Sequence, residues 1–152
     1  MQIAVTGHAG RIGRCVVRDL VGAGHRVKGL DVVHGLETGL RQQLVDLTDA
    51  GQVYGALAGA AAVVHVGAWA NAGMVPDTRT YADNVTGTYN VLQACADLQI
   101  RRVVSASSAQ VYGLNEHAPA YLPVDEDHPL RPLSCYSLSK ITGEQAAAYF
   151  CD

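Results

Sequence analysis

The chain has 152 residues and a formal net charge of −3, and 49% of its residues are hydrophobic against 16% charged. This composition is typical of a folded domain with a real core and excludes a disordered chain. The sequence contains no basic cluster, which argues against nucleic acid as a partner. It contains no apolar run of membrane-spanning length, no secretory signal and no cysteine or histidine spacing typical of a metal site, so we expect a cytoplasmic protein.

Strand and helix patterns alternate along the chain. Five strands are predicted at 3–5 and within 25–33, 41–49, 60–68 and 101–108. Helices are predicted directly after the first strand, after Thr48 or Asp49, over about 79–98, and from near Tyr136. Because helical segments separate the strands and hairpin turns are absent, we expect an α/β fold: a doubly wound parallel sheet, Rossmann-like, with helices on both faces.

The segment "TGHAGRIG" (6–13) places three glycines between the first strand and the first helix. In a doubly wound sheet, ligands bind at the carboxyl ends of the strands where the strand order reverses. Gly7 would make the tight turn, Gly10 would admit a diphosphate at the helix N-terminus, and Gly13 would let the helix pack on the sheet. The alternative interpretation is a tight strand–helix turn that binds no ligand.

Asp31 lies 18 residues after Gly13, at the predicted end of the second strand. A carboxylate at this place can accept hydrogen bonds from both ribose hydroxyls of an adenosine, and it repels a 2′-phosphate. We therefore expect NAD rather than NADP as the cofactor, with Arg11 and Ile12 of the glycine loop among the contact residues. A cation at Arg11 is the one feature that would favour an additional phosphate.

The segment "CYSLSK" places Tyr136 and Lys140 four residues apart, on one face of the last helix. A neighbouring ammonium group and a nicotinamide cation would stabilise a phenolate, which could then accept a proton from a substrate alcohol. Ser107 and Ser108 follow the fifth strand, and one of these hydroxyls could hydrogen-bond the reacting oxygen. A solvated helix face and a polar strand end are the alternatives.

These motifs, taken together and in order, resemble the extended short-chain dehydrogenase/reductases, in particular the sugar epimerase/dehydratase group. The resemblance extends over essentially the whole chain. The segments that carry it, besides the glycine loop and Asp31, are "VDL" (45–47), "VVHVGA" (63–68), "NVTGTYNVL" (84–92), "SSAQVYG" (107–113) and "YSLSK" (136–140).

The resemblance implies roles for individual residues. Asp46 and Leu47 would flank the adenine, and Val66, Gly67 and Ala68 would line the cofactor. Ser108, Tyr136 and Lys140 would form the catalytic set. Tyr136 and Lys140 would also contact the cofactor. Asn84 would support the backbone of the active site, and we include it among the cofactor-binding residues.

The sequence departs from the family pattern at two points. Dehydratases of the family carry an acidic pair where this chain has Ala109 and Gln110, so we expect an epimerase or a simple dehydrogenase of a sugar or sugar-nucleotide. Family members also continue for about another domain's length. We therefore expect 1–152 to be an NAD-binding domain truncated after the Tyr136 helix, without the substrate lobe and with the fifth strand as an exposed sheet edge.

Two alternatives to an enzyme remain open at this stage. The chain could be a non-catalytic NAD-binding module that keeps the cofactor half, or an interaction fragment that folds stably only with another chain. Members of the family commonly form dimers through the two long helices that precede and contain Tyr136. The resemblance therefore allows a homodimer.

Overall fold

The computed structural model describes residues 1–36 and 39–151; Glu37, Thr38 and Asp152 lie outside the described residues. The strands are β1 (Gln2–Thr6), β2 (Arg26–Asp31), β3 (Arg41–Leu44), β4 (Ala62–His65) and β5 (Val103–Ser105). The helices are α1 (Arg11–Gly22), α2 (Ala50–Leu57), α3 (Asp77–Asp97) and α4 (Cys135–Cys151), and a 3-10 turn covers Ala109–Tyr112. The predicted alternation is confirmed, with β5 shorter than its predicted span.

The described residues form two compact units, which we treat separately. The first unit contains Met1–Ala68 and Thr86–Ala106, and the second contains Trp69–Val85 and Ser107–Asp152. The sheet lies in the first unit, whereas the second unit contains the 3-10 turn and α4. The helix α3 contributes its first turns to the second unit and its remainder to the first.

The five strands of the first unit form one parallel sheet in the order β3-β2-β1-β4-β5. The chain moves outward from β1 through β2 to β3, and then returns to the other side of β1 to add β4 and β5. The strand order therefore reverses between β1 and β4. This topology confirms the predicted doubly wound, Rossmann-like sheet and places the glycine loop at the reversal point.

Both faces of the sheet are covered by helices in the first unit. One face packs α2 and α3 on the sheet through fully buried aliphatic side chains, including Ala4, Leu57, Val63 and Val91. The opposite face packs α1 on the central strands through Val17, which contacts a cluster with Ile3, Val5 and Val27. Burial of these aliphatic side chains is the main favourable contribution to the stability of the sheet.

The strand β5 is the edge of the sheet within the described part of the chain. It pairs with β4 through Val63↔Val103 to His65↔Ser105. Val104 is 66% exposed and Ser105 is also exposed, so this edge is open to solvent. The predicted exposed fifth strand is present in the structure.

The second unit is organised around α4 and the 3-10 turn, which pack against each other. Ser134 and Ser137 cap the start of α4 reciprocally: the amide of Ser137 donates to Ser134 Oγ (3.1 Å), and the amide of Ser134 donates to Ser137 Oγ (3.0 Å). The loop before α4 is held by His128, whose buried Nε2 accepts a hydrogen bond from the amide of Ala120 at 2.9 Å.

The described residues contain neither a membrane-spanning helix nor a cluster of metal ligands. None of the helices there is long and apolar enough to cross a membrane. Within the same residues, no group of three or more histidine, cysteine or acidic side chains is placed to hold a metal ion.

Replacing Leu57 by alanine tests the packing of the larger core. Leu57 has no solvent exposure, so Leu57→Ala leaves a cavity, and we expect the free energy of unfolding to fall by about 2–5 kcal/mol. The matched control is Leu36→Ala, because Leu36 is 84% exposed; we expect a change within about 0.5 kcal/mol. Urea unfolding followed by circular dichroism measures both. Equal effects of the two substitutions would contradict this packing.

Candidate functional site

The glycine loop after β1 is a point where backbone segments approach too closely for side chains. Gly7 has φ +67°, and a Cβ on it would lie 2.6 Å from the Cα of Gly67. A Cβ on Gly13 would lie 2.0 Å from the carbonyl oxygen of Gly7. The amide of Gly7 also donates to Leu30 O at 2.7 Å, which ties the loop to the end of β2. The loop therefore requires glycine at positions 7 and 13 for steric reasons.

The N-terminus of α1 is prepared for an anion. Gly10 is the N-cap residue, and no side chain of the described residues caps this end of the helix. The first turn contains no acidic residue. The N–H groups of the first turn, which begins with Arg11 and Ile12, are thus left for a ligand, and the helix dipole favours a negative charge there. The N-terminus of α1 therefore suits a diphosphate group.

Asp31 ends β2, and its carboxylate contacts the glycine loop. One oxygen, Oδ2, accepts a hydrogen bond from the amide of Ala9 at 3.1 Å, and Oδ1 accepts from the amide of Val32 at 2.8 Å. A carboxylate has about four lone-pair positions, so both oxygens keep the capacity to accept a further bond from ribose hydroxyls. Asp31 therefore also fixes the loop, a contact that the sequence analysis did not predict.

His8 makes a second connection that the sequence analysis missed. Its fully buried ring lies against Gly29 of β2, where a Cβ would meet the ring at 2.6 Å. His8 Nε2 hydrogen-bonds Gln42 Oε1 at 3.0 Å, and this same oxygen accepts from the amide of Gly35 at 2.8 Å. The glycine loop is thereby linked to β3 and to the segment that follows Asp31. The sequence feature that could have indicated this contact is Gly29 on β2, since a strand glycine leaves room for a large side chain such as His8.

The ends of β1 and β4 are joined by a buried hydrogen-bond chain. Thr6 Oγ1 accepts from the amides of Val66 (3.2 Å) and Gly67 (3.1 Å) and lies 2.8 Å from His65 Nδ1. With both lone pairs engaged, the threonine hydroxyl donates to Nδ1. His65 Nε2 then carries the proton and donates to Thr88 Oγ1 at 3.1 Å. His65 therefore links the end of β1 to α3 through Thr6 and Thr88.

The remaining predicted cofactor residues of the first unit lie just after β3 and β4. Leu47 packs closely on Gly67, because a Cβ there would lie 2.9 Å from Leu47 Cδ1. Asp46 is engaged locally, since its Oδ1 accepts from both the amide (2.9 Å) and the hydroxyl (2.8 Å) of Thr48. Ala68 is exposed at the end of this segment.

Asn84 is the centre of a hydrogen-bond network in the second unit. Its Oδ1 accepts from the amide of Trp69 at 2.8 Å, and its Nδ2 donates to Trp69 O (3.1 Å) and to Ser139 Oγ (3.1 Å). The indole Nε1 of Trp69 donates to Asp83 at 2.8 Å, and Asp83 also pairs with Arg79. Asn84 thus connects the segment after β4 to the first turns of α4.

Tyr136 and Lys140 occupy the first turns of α4, and both are buried. Lys140 Nζ lies 5.9 Å from the centre of the Tyr136 ring. Burial lowers the pKa of Lys140 below the ordinary lysine value, an effect that the nearby Glu144 partly opposes. The structure therefore brings the predicted phenol and amine together in the second unit.

The two serines after β5 have different partners. Ser108 caps the 3-10 turn, where its Oγ accepts from the amide of Gln110 at 3.2 Å. The hydroxyl of Ser107 instead donates to the carboxylate of Glu144 on α4. Because the 3-10 turn packs against α4, Ser108 belongs to the same unit as Tyr136 and Lys140.

The predicted site residues thus divide between the units. The first unit holds Gly7, Gly10, Arg11, Ile12, Gly13, Asp31, Asp46, Leu47, Val66, Gly67 and Ala68, and the second holds Asn84, Ser108, Tyr136 and Lys140. Their functional roles remain predictions.

Comparisons with known proteins identify the family. Residues 3–152 match the model of the NAD dependent epimerase/dehydratase family. The chain therefore belongs to this family, which confirms the predicted resemblance and, at the level of the family, the prediction of NAD as the cofactor.

The relatives include both oxidoreductases and epimerases. The chain is 34% identical to the L-arabinose 1-dehydrogenase (NAD(P)(+)) of Haloferax volcanii, over 99% of this chain and 61% of the relative. It is also 34% identical to the UDP-glucose 4-epimerase of Lactobacillus helveticus, over 98% of this chain and 47% of the relative.

A solved structure shows the same fold. A short-chain dehydrogenase/reductase superfamily protein from Agrobacterium tumefaciens, crystallised with bound NAD, is 40% identical and superposes with a TM-score of 0.90. The match covers 98% of this chain and 44% of that structure. The chain spans about half the length of the proteins it matches.

The two lysines of the protein provide a direct test of side-chain burial. Lys28 and Lys140 are the lysines of the sequence, and burial lowers the pKa of each below 10.5 because it removes hydration from the ammonium group. Nuclear magnetic resonance titration of protein labelled at lysine side-chain carbons should show two midpoints below 10.5, and Lys140→Met assigns them by removing one. A midpoint at or above 10.5 would contradict the burial of that side chain.

Proposed function

We propose that this chain is the NAD-binding portion, residues 1–152, of an oxidoreductase or epimerase that acts on a sugar or sugar-nucleotide by hydride transfer. The observation that carries the proposal is the glycine loop, where Gly7 and Gly13 permit a backbone approach that no side chain allows. The family membership and the relatives named above support the same class of chemistry.

The first unit would hold the cofactor through three kinds of contact. The N–H groups at the start of α1 would receive the diphosphate, with Gly10 as the N-cap residue. Asp31 would accept hydrogen bonds from the adenosine ribose with the lone pairs that Ala9 and Val32 leave free. Asp46 and Leu47 would flank the adenine, and Val66, Gly67 and Ala68 would line the cofactor. NAD, when bound, supplies the hydride acceptor.

The second unit would supply the proton chemistry. Tyr136 would accept the proton of a substrate alcohol as a general base, and Lys140, held beside it on α4, would stabilise the phenolate. Ser108 would hydrogen-bond the reacting oxygen. Asn84 would position this set indirectly, because it connects the Trp69 backbone to Ser139 in the turn of α4 that lies between Tyr136 and Lys140.

The reaction type follows from where the hydride goes. Its return to the opposite face of the substrate would make the protein an epimerase, and release of an oxidised product would make it a dehydrogenase. Ala109 and Gln110 stand where family dehydratases carry acidic residues, which disfavours a dehydratase. The chain covers about half of its relatives, so a non-catalytic NAD-binding module or an interaction fragment is the alternative that the experiments below separate.

Asp31→Asn tests the cofactor contact and its preference for NAD. Loss of the carboxylate charge removes a charge-assisted bond to the ribose and the repulsion of a 2′-phosphate, so we expect NAD affinity to fall about tenfold and the ratio of NADP to NAD affinity to rise. Isothermal titration calorimetry measures both. Asp19→Asn, on the exposed side of α1, is the matched control and should leave both affinities unchanged. Unchanged NAD binding by Asp31→Asn would contradict the assignment.

Tyr136→Phe separates catalysis from binding. The substitution removes the hydroxyl and keeps the ring, so turnover of L-arabinose or UDP-glucose should fall by at least about a hundredfold. NAD affinity should fall by less than about tenfold, because one hydroxyl contact is lost and the contacts of the first unit remain. Coupled spectrophotometric assays and calorimetry give the two values. NAD binding without turnover in the unmutated protein would favour the non-catalytic module, and absence of NAD binding would favour the interaction fragment.

A further inference from the structure

A groove of about 920 Å³ runs along the side of α1 in the first unit. Its floor is apolar and is formed by Val17 of α1, Val27 of β2 and Leu40 before β3. Arg11 is the one predicted cofactor residue that lines it. The rest of the groove is separate from the predicted site residues, so its function is not explained by the cofactor.

The groove lies beside the short connection between β2 and β3. Parallel strands are usually joined by a crossover of a dozen or more residues that contains a helix. Here α1, α2 and α3 follow β1, β3 and β4 in this way, but β2 and β3 are joined by residues 32–40, whose described part contains no helix. No helix of the described residues therefore covers the surface beside α1, where a crossover helix would lie.

Five of the eleven cationic side chains of the protein surround this apolar floor. They are Arg11, Arg14, Arg18, Arg26 and Arg41. All five are exposed, and none has a carboxylate partner within the part of the chain that the structure describes. Because the protein as a whole carries a charge of −3, this cluster is a local feature, and an anionic partner would relieve its self-repulsion.

We propose that this groove binds an acidic amphipathic helix of another protein. The wall formed by α1 has 12 residues and is therefore about 18 Å long, a length that matches three turns of a docked helix. An apolar floor between charged rims fits a helix whose aliphatic face packs on the floor and whose flanking carboxylates lie next to the arginines. The carboxylates would pair with the arginines in a geometry that favours bidentate hydrogen bonds.

The groove suits other anionic ligands less well. An open groove with exposed arginines does not enclose a small molecule, whereas small-molecule sites bury most of the ligand surface. Apart from His25, no ring lines the described groove on which bases of a single strand could stack, and its aliphatic floor offers nothing to the phosphates of a duplex. A helix that pairs apolar and acidic faces uses both features of the groove.

The test uses a synthetic peptide of about four helical turns with leucine on one face and glutamate on the other, and a second peptide with lysine in place of each glutamate. Fluorescence anisotropy measures binding. Cysteine alkylation followed by mass spectrometry shows where the peptide binds, because the exposed Cys15 lines the groove. The exposed Cys151, which does not line the groove, is the internal reference. Arg14→Glu with Arg18→Glu tests the rim.

The matched control is Arg101→Glu with Arg102→Glu, since these two exposed arginines of the first unit lie outside the groove. The glutamate peptide should bind and slow alkylation of Cys15 several-fold without protecting Cys151. Charge reversal at Arg14 and Arg18 should weaken binding at least about tenfold, and the control should change it less than about twofold. The lysine peptide should not bind.

Several results would overturn the proposal. These are absence of binding, equal protection of the two cysteines, equal weakening by the two double variants, or binding of the lysine peptide. Tighter binding of a duplex DNA of equal charge would assign the groove to nucleic acid, and self-association of the protein that is lost on charge reversal would assign it to a second copy. If charge reversal prevents folding, the double variant Arg14→Gln with Arg18→Gln replaces it in the binding measurement. The protection of Cys15 in the unmutated protein then gives a second, independent test of binding in the groove.

Discussion

The close approach of backbone at the carboxyl end of β1 is the constraint on which the rest of the proposed cofactor site depends. A Cβ on Gly13 would lie 2.0 Å from the carbonyl oxygen of Gly7, so no side chain fits between the helix and the loop, and a Cβ on Gly7 would lie 2.6 Å from the Cα of Gly67. These contacts hold the start of α1 against the strand ends. The N–H groups of the first turn of α1, which no side chain of the described residues caps, therefore point to one place. A diphosphate there would accept their hydrogen bonds.

Side-chain hydrogen bonds make this arrangement rigid. Asp31 secures the loop through the amide of Ala9, His8 connects it to Gln42, and Thr6 connects β1 to β4 through His65. Asp31 and Gln42 thus hold the loop from β2 and β3, and His65 holds the end of β1 from β4. The site is therefore preorganised by the sheet itself, which reduces the entropy that a flexible loop would lose on binding a ligand.

The sequence predicted the features that depend on local pattern. Alternating strands and helices, the glycine loop and Asp31 at the end of β2 all follow from periodicity and spacing, and the parallel sheet follows from them. The links from His8 to Gln42 and from Asn84 to Ser139 join residues 34 and 55 positions apart, which no local pattern reveals. The arginine groove was only partly visible in the sequence, because Arg11, Arg14 and Arg18 recur at helical spacing on α1. Arg26 and Arg41 join them only when β2 and β3 pair beside that helix.

The most direct test of the proposed cofactor site is to locate the amides that a bound dinucleotide contacts. Titration of nitrogen-15-labelled protein with NAD, followed by nuclear magnetic resonance, reports on every amide at once. We expect the largest saturable shifts at the amides of Arg11, Ile12 and Gly13, and no comparable shift at the amides of the last turn of α3. Saturable binding of NAD that leaves these three amides unshifted, or no binding at all, would contradict it.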